Sequence, residues 1–190
     1  MPTKIEQKQK TRKNLIDAFL KLNSESPIEQ IRIVQIVELA GCHRSTFYEH
    51  FLDIYDLRSQ EEEELLSLQR TLIITPALNG KLNIFNTQEF MGRFNEIYQM
   101  KSDSLMTFFG RYGDPDFQKR FKDNIADTLF KLVELDSEAR THMYLIEFIT
   151  AGMFAVLNRL HEQQDIEFKE LFAFLHPISS KLLSIALVKD

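Results

Sequence analysis

The sequence predicts an all-α fold with an N-terminal helix-turn-helix unit and a larger C-terminal helical region. Apolar residues recur every three or four positions along most of the 190 residues. Glycine and proline are scarce, with six and five residues, and the β-branched residues typical of strands do not dominate. The spacing predicts about nine helices.

The first third of the chain predicts four helices. An amphipathic helix over about 10–23 ends at Ser24–Pro27, and a short helix with apolar residues from Ile33 to Ala40 stops at Gly41. A third helix carries Phe47 and Phe51. A longer helix follows Asp53 and runs to about residue 72, and we expect its acidic run, Glu61–Glu64, to form a solvated face.

In the rest of the chain, the residue pattern predicts a loop over 73–86 and then five helices. Asn86 and Glu89 have the spacing of a capping box, so a helix is expected to start there. Further helices are predicted over about 102–110, 114–134, 137–163 and 167–187. Asp114–Pro115 suits an N-cap followed by the first helical position, and Pro177 is expected to kink the last helix. These patterns divide the chain into domains 8–68 and 73–190.

Composition excludes several classes of protein. With 44% hydrophobic and 27% charged residues, the chain is too ordinary for a disordered or low-complexity protein. The single cysteine, Cys42, excludes an internal disulfide and fits a reducing cytoplasm. No apolar run approaches the roughly 18 residues of a membrane helix, and the first residues are too polar for a signal peptide. We therefore expect a cytoplasmic protein with no membrane association.

Charge is unevenly distributed along the chain. The net charge is −5, yet residues 1–13 hold five basic groups and one acid, and residues 1–58 hold nine basic and eight acidic groups. An arm with Lys4, Lys8 and Lys10 is able to reach phosphates. A solvated, frayed terminus would show the same pattern.

Residues 31–51 have the layout of a helix-turn-helix. Gly41 can adopt positive φ and reverse the chain between two short helices. The second of these presents Phe47 and Phe51 inward. Its outer side and the adjoining turn carry hydrogen-bonding side chains that suit base edges and phosphates, namely His43, Arg44, Ser45, Tyr48 and His50. An ordinary helical hairpin with polar residues outside would give the same pattern.

The run from Ala40 to Phe51 resembles the signature of the TetR family of transcriptional regulators. That signature is an Ala-Gly turn, a small run ending in Thr, an aromatic, Tyr, any residue, a His or Tyr, and a closing aromatic. The resemblance covers about residues 8–68, with the motif itself at 31–50. A second stretch, Arg111–Phe117, resembles an element of a subgroup that includes regulators of dihydroxyacetone kinase genes, as does Tyr55–Leu57.

The resemblance implies a set of DNA contacts. Base contacts are implied for His43, Arg44 and Ser45, phosphate contacts for Tyr48 and His50, and backbone support for Thr46. Arg32 would sit near a phosphate.

Three positions depart from the family pattern. Ile54 stands where a Lys is common, so one phosphate contact is missing and is expected from Lys4, Lys8 and Lys10 instead. His43 replaces a capping Ser, and Glu49 places an acid beside the groove.

The second region is rich in phenylalanine, with 13 of the 16 residues of this type. Helical spacing favours core packing for most of them, and a cavity for an apolar or aromatic effector is the alternative. The resemblance places an unknown small-molecule effector between helices 86–134 and 137–163, without naming contact residues. The last two helices are apolar along much of their length, so they either close the core or form a four-helix homodimer contact. A two-fold dimer predicts a palindromic site on double-stranded DNA.

The sequence thus favours a homodimeric DNA-binding repressor released by an effector. The alternative is a helical dimeric interaction or ligand-sensing module that no longer binds DNA. An enzyme is disfavoured because no catalytic grouping, phosphate loop or metal-ligand spacing is present. His142, His161 and His176 are isolated along the chain, so no cofactor or metal is expected.

Overall fold

The structure, a computed structural model, describes residues 3–83, 86–133, 140–163 and 167–186. Within these ranges every regular element is helical and no strand is present, so the predicted all-α class is confirmed. The elements are α1 (Lys4–Glu25), a 3₁₀ turn (Ile28–Gln30), α2 (Ile33–Ala40), α3 (Arg44–Tyr48), α4 (Ile54–Gln69), a π-helical turn (Arg70–Ile74), α5 (Thr75–Leu78), α6 (Thr87–Phe109), α7 (Pro115–Val133), α8 (Arg140–Gln163) and α9 (Phe168–Ala186).

The chain divides into two compact units. The first contains the residues up to Leu65 together with Asp103–Asp114, and the second contains Leu66–Ser102 and the residues from Pro115 onward. The predicted domain limits, 8–68 and 73–190, stay a prediction. The second half of α6 and the connection after it belong to the same unit as α1–α3.

Helix α1 begins six residues earlier than predicted, at Lys4. The backbone N–H of Glu6 donates to Thr3 Oγ1 at 3.2 Å, and the N–H of Thr3 donates to a Glu6 carboxylate oxygen at 2.6 Å. This reciprocal capping box starts the helix in a stretch that has no apolar stripe. Since the sequence prediction relied on apolar spacing, it located only the part of α1 that packs on the core.

The predicted loop over 73–86 is partly wrong. The helix continues past residue 72 through the π-helical turn and α5, and it ends at Asn79 before Gly80, which has a φ of +67°. Ile73 and Ala77, four residues apart, are both buried, so this stretch keeps a helical apolar spacing around Pro76. Residues 84 and 85 lie outside the described part of the chain.

The start of α6 and its division into two helical segments agree with the prediction. Asn86 precedes the helix, and its side-chain oxygen accepts the backbone N–H of Glu89 at 3.3 Å. The helices predicted from residue 86 and over 102–110 are the two segments of α6, and they meet in a kink at Lys101, whose φ of −143° and ψ of 31° are not helical.

The later helices agree with their predicted limits where these are described. Helix α7 begins at Pro115, directly after Asp114. Pro177 lies inside α9, which continues to Ala186, and the predicted kink stays a prediction. The predicted limits at 134, 137 and 187 fall outside the described residues.

The expectation of a solvated face for Glu61–Glu64 is wrong for half of it. Glu63 and Glu64 are exposed, whereas Glu61 is fully buried and Glu62 is 3% exposed. Glu61 lies four residues from both Leu57 and Leu65, so it belongs to the buried stripe of α4. Because all four residues of the run are acidic, the four-residue spacing of Glu61 from Leu57 and Leu65 did not by itself indicate burial.

Buried aromatic and aliphatic side chains form the core of each unit. In the first unit they come from α1–α4 and from the end of α6: Leu15, Phe19, Ile36, Phe47, Phe51, Leu57, Leu65, Leu105 and Phe108. In the second unit Phe94 stacks on Phe172 at a ring distance of 5.4 Å, and Phe117 and Phe121 are fully buried. Core packing, predicted for most phenylalanines, holds for these. Phe85 and the side chains of Phe90, Phe154 and Phe168 lie outside the described part.

The second unit also buries one polar side chain, that of Gln69. Gln69 is fully buried and donates to the carbonyl oxygen of Phe121 at 2.9 Å, while its own oxygen accepts from the Asn124 amide at 3.1 Å. These bonds satisfy the Gln69 amide and tie the end of α4 to α7.

Among the described helices, none is long and apolar enough to cross a membrane.

We expect Gly41→Ala to destabilise the protein by about 1 kcal/mol, because a residue with a Cβ is strained at the φ of +67° found here. Gly92→Ala is the matched control. A Cβ meets nothing within 4 Å at either position, but Gly92 lies inside α6, where alanine is favoured by about 0.5–1 kcal/mol. Urea unfolding of both variants measures the two effects. Equal effects of the two substitutions would contradict the role given to Gly41.

Candidate nucleic-acid interface

The turn between α2 and α3 has the geometry that the sequence predicts. Gly41 has a φ of 67° and a ψ of 37°, in the left-handed region. The Gly41 N–H donates to the carbonyl of Glu38 at 3.2 Å, and the Cys42 N–H donates to the carbonyl of Val37 at 3.0 Å. These bonds end α2 and reverse the chain, so that α3 starts three residues later.

Two phenylalanines hold the short helix α3 in place. Phe47 is fully buried and Phe51 is 2% exposed, and their rings lie 5.6 Å apart. The ring of Tyr48 meets Phe47 edge-on at 5.6 Å while 49% of the tyrosine stays exposed. Both phenylalanines point inward as predicted, which turns the opposite side of α3 toward solvent.

The polar residues predicted to contact DNA lie on or next to this solvent side. Arg32, His43, Arg44, Ser45 and Tyr48 are exposed. Thr46 and His50 are half-buried. His43 is the N-cap residue of α3, and its side chain makes no capping hydrogen bond, as its replacement of the usual serine predicts.

Arg44 and Tyr48 form a pair along α3. A guanidinium N–H of Arg44 donates to the Tyr48 hydroxyl at 3.3 Å, and the guanidinium carbon lies 5.8 Å from the centre of the Tyr48 ring. These residues are four apart, so they share one face of the helix. The residue predicted to read a base is therefore oriented by one predicted to contact a phosphate.

Helix α1 brings positive charge to this side of the first unit. Lys4, Lys8 and Lys10 are all exposed along its first turns. Lys4, Lys8 and Arg12 follow one another at four-residue steps and share a face, whereas Lys10 is two residues from Lys8 and points to another side. The predicted basic arm is thus a regular helix that divides its lysines between two faces.

Arg12 is a site residue that the sequence analysis did not single out. Its guanidinium lies 5.3 Å from the centre of the Phe51 ring and donates to the Gln60 side chain at 3.1 Å. It thereby joins α1 to the end of the helix-turn-helix and to α4. Its four-residue step from Lys8 was the available signal.

The pKa of His50 lies below its ordinary value. Partial burial is the main cause, the charge of Lys8 lowers the pKa further, Glu49 raises it, and Arg12 lowers it. At neutral pH the ring is therefore mainly neutral, so His50 is able to offer a phosphate a hydrogen bond rather than a full charge.

The segment between α3 and α4 and the first turn of α4 each expose a large apolar side chain. The carboxylate of Asp56 accepts the N–H of Leu52 at 2.8 Å, and Asp53 accepts the N–H of Asp56 at 2.8 Å. These bonds hold Leu52 in a position where it is 81% exposed, and Tyr55 is 52% exposed. Ile54, the departure from the family pattern, is half-buried. No pattern in the sequence predicted the exposure of Leu52.

The last two helices of the second unit each expose large apolar side chains. The side chains concerned are Tyr144 and Phe148 on α8 and Phe174 and Ile178 on α9, which are 73, 67, 69 and 47% exposed.

A surface groove of about 450 Å³ lies elsewhere in this unit, between the residues after α5 and the first turns of α6, with Leu82, Arg93 and Glu96 in its wall. The described residues contain no group of three or more histidine, cysteine or acidic side chains that could hold a metal.

We expect Lys8→Gln to raise the pKa of His50 toward its ordinary value, because a neighbouring positive charge is removed. Glu49→Gln should lower the same pKa. NMR titration of the His50 ring measures both, with Lys4→Gln as a control from the same helix. Shifts in one common direction would contradict the arrangement of charges around His50.

Comparison with known proteins gives a fold relationship. A TetR transcriptional regulator from Streptococcus agalactiae 2603V has a similar solved structure, with a TM-score of 0.57 and 19% sequence identity; the match covers 93% of this chain and 97% of that chain. No known protein family's sequence profile matches the chain, and no curated protein matches it by sequence. The chain therefore has the fold of a TetR regulator over nearly its whole length.

Proposed function

We propose that this protein is a sequence-specific DNA-binding transcriptional regulator that acts as a homodimer. The observation that carries the proposal is the outer side of α3, where exposed Arg44, Ser45 and Tyr48 stand on a helix whose inner side is anchored by Phe47 and Phe51. A short helix after a tight turn, with polar side chains outward, suits insertion into the major groove.

Each polar residue has a proposed role. Arg44, Ser45 and His43 contact base edges, since arginine and hydroxyl groups match the donors and acceptors of the major groove. Tyr48, His50 and Arg32 contact phosphates, and Thr46 supports the backbone. The lysines of α1, Lys4, Lys8 and Lys10, supply the charge that Ile54 does not.

A net charge of −5 is compatible with this role. Charges interact through solvent over about 8 Å at physiological salt, so distant acids contribute little at the interface. The local balance at α1 is positive, with Lys4, Lys8, Lys10, Arg12 and Lys13 against Glu6 and Asp17 up to residue 17.

The proposed dimer uses the exposed apolar face of α8 and α9. Four large apolar side chains on two neighbouring helices form an apolar surface of the kind that marks an interaction site. Pairing this face with its copy gives a four-helix contact and a two-fold axis. The axis predicts a palindromic operator.

Regulation by a small molecule completes the proposal. An effector bound in the second unit would release a repressor from its operator, and a cytoplasmic location fits such a role. We propose no enzymatic activity. The resemblance to the dihydroxyacetone kinase regulators at Arg111–Phe117 stays a proposal and assigns no effector. Asp114 and Pro115 of this stretch have structural roles, since Asp114 pairs with Arg58 and Pro115 begins α7.

A module that no longer binds DNA is the second candidate. Ile54 in the place of a common lysine, the acid Glu49 directly after α3, and exposed Leu52 favour it. This candidate keeps the dimer and the effector site and loses the operator.

Selection of bound duplexes from a random pool at two salt concentrations tests the proposal. An enriched palindrome, bound less tightly at higher salt, supports a specific dimeric regulator. Absence of enrichment at low salt, in a sample shown by mass spectrometry to hold no small molecule, favours the module instead.

We expect Arg44→Ala to relax the preference at one base pair of each half-site, at a cost of about 1–3 kcal/mol, because a bidentate guanine contact is lost. Lys8→Gln is the comparison. It should weaken binding to all sequences alike. The slope of the logarithm of the binding constant against the logarithm of the salt concentration should become less steep by about one, the value for one phosphate contact. Fluorescence anisotropy with single-position operator variants measures both. An unchanged preference in Arg44→Ala would show that Arg44 does not read a base.

We expect Phe148→Glu to weaken the dimer by about 2 kcal/mol or more, because a charge replaces an aromatic group at the centre of the proposed contact. Met100→Glu is the control, since Met100 is 61% exposed on α6 and lies outside the proposed face. Sedimentation equilibrium measures both variants. Equal dissociation constants would place the dimer contact elsewhere.

A further inference from the structure

The first unit buries a polar cluster on the side of α4 that faces residues 103–114. Glu61 is fully buried, Glu62 is 3% exposed, and Ser104 is 2% exposed. The Ser104 hydroxyl donates to Glu61 Oε1 at 2.6 Å. Burial of a carboxylate is unfavourable unless hydrogen bonds compensate it, so this contact is one on which the local packing depends.

An ion-pair chain extends the same contact. The guanidinium of Arg58 lies 3.4 Å from a Glu62 oxygen and 3.1 Å from a carboxylate oxygen of Asp114. The Arg58 and Asp114 side chains are 22 and 19% exposed, so solvent screens this pair only in part. Helix α4 is therefore joined to both ends of the segment 103–114. Glu61 contacts Ser104 at one end, and Arg58 contacts Asp114 at the other.

Other contacts of α4 lead to the helix-turn-helix. Gln60 accepts a hydrogen bond from Arg12, whose guanidinium lies 5.3 Å from the centre of the Phe51 ring, and Asp53, two residues after the buried Phe51, caps α4. A displacement of α4 would thus disturb the contact of Arg12 with Phe51, one of the two anchors of α3. Helix α4 therefore contacts both a residue that packs on this anchor and a segment more than 40 residues further along the chain.

We infer that Glu61 and Ser104, together with the Arg58–Asp114 ion pair, are positioning residues that hold α4 and the helix-turn-helix in one arrangement. The DNA-binding unit is then discontinuous in sequence, and residues 103–114 complete it. Hydrogen bonds have a defined length and direction, so a shift of α4 by one turn, about 5.4 Å, breaks them. Purely apolar contacts would re-form with other neighbours after the same shift. The consequence for DNA binding rests on the proposed function, and the positioning itself does not.

Amide hydrogen exchange of the full-length, DNA-free protein tests the positioning. Ser104→Ala removes the donor to the buried Glu61 carboxylate, and we expect exchange over residues 33–50 to rise about tenfold. Exchange in α7 should stay unchanged. Asp114→Asn breaks the partly exposed ion pair and should give a smaller rise of about two- to fivefold. This variant provides the test if Ser104→Ala does not fold. Glu64→Gln, an exposed acid of the same run, is the control and should change nothing.

A second substitution separates positioning from general destabilisation. Glu61→Gln in the Ser104→Ala background replaces the buried carboxyl group that has lost the Ser104 hydrogen bond by an amide, so protection of residues 33–50 should largely return. Failure of this rescue would overturn the inference. A rise of equal size in α7–α9, or one confined to residues 103–114, would overturn it as well.

Operator affinity then links the positioning to function. For a duplex taken from the selection, Ser104→Ala should bind about tenfold more weakly with an unchanged dependence on salt, because no phosphate contact is removed. Wild-type protein that selects no duplex contradicts the proposed function alone, since the exchange measurement needs no DNA. Unchanged operator affinity in a variant with raised exchange would overturn the role in DNA binding.

Discussion

The candidate interface depends on the burial of Phe47 and Phe51. Helix α3 has only five residues, and an isolated helix of that length is not stable in water, because nucleation costs more than one turn of hydrogen bonds returns. Each buried phenylalanine contributes about 1.5–3 kcal/mol, which is the main energy that keeps α3 helical. The exposed residues Arg44, Ser45 and Tyr48 have defined positions only because the other side of the helix is buried. The αL turn at Gly41 is the second requirement, since it directs that side toward the core.

Electrostatics at this surface is a local property of α1 and α3. The capping box at Thr3 makes the first residues helical, and the helix places Lys8 and Arg12 one turn apart beside His50. Their charges and partial burial favour the neutral imidazole, so the lysines and arginines carry the positive charge there. Binding of a phosphate next to His50 would oppose these effects and favour the charged ring. Proton uptake would then accompany DNA binding at slightly acidic pH.

Much of the fold and part of the site follow from sequence patterns, and the exceptions have physical causes. The turn at Gly41, the inward phenylalanines and the cap at Asn86 were predictable because each depends on neighbouring residues. The start of α1 was missed because its stability comes from a cap rather than an apolar stripe. Glu61 was misassigned because its partner, Ser104, is 43 residues away, and no local rule predicts that a carboxylate in an acidic run is buried. The contact of Arg12 with Phe51 is likewise tertiary, so the four-residue step from Lys8 marked the face of Arg12 but not its partner. The exposure of Leu52 depends on its hydrogen bond to Asp56, which no apolar pattern predicts.

The length of α3 also limits how much DNA one chain can read. Five residues rise about 7.5 Å along a helix axis, which is about two base-pair steps of DNA at 3.4 Å each. One copy of α3 therefore carries too little sequence information for a specific operator, and the proposed regulator requires a second copy at a fixed distance. A fixed distance requires that each helix-turn-helix keep one position within its own chain. The hydrogen bond and ion pair between α4 and residues 103–114 meet this requirement better than apolar contacts would, because they allow a single register. On this view the apolar face of α8 and α9 supplies the second copy, and the buried polar cluster supplies the precision with which both copies are presented.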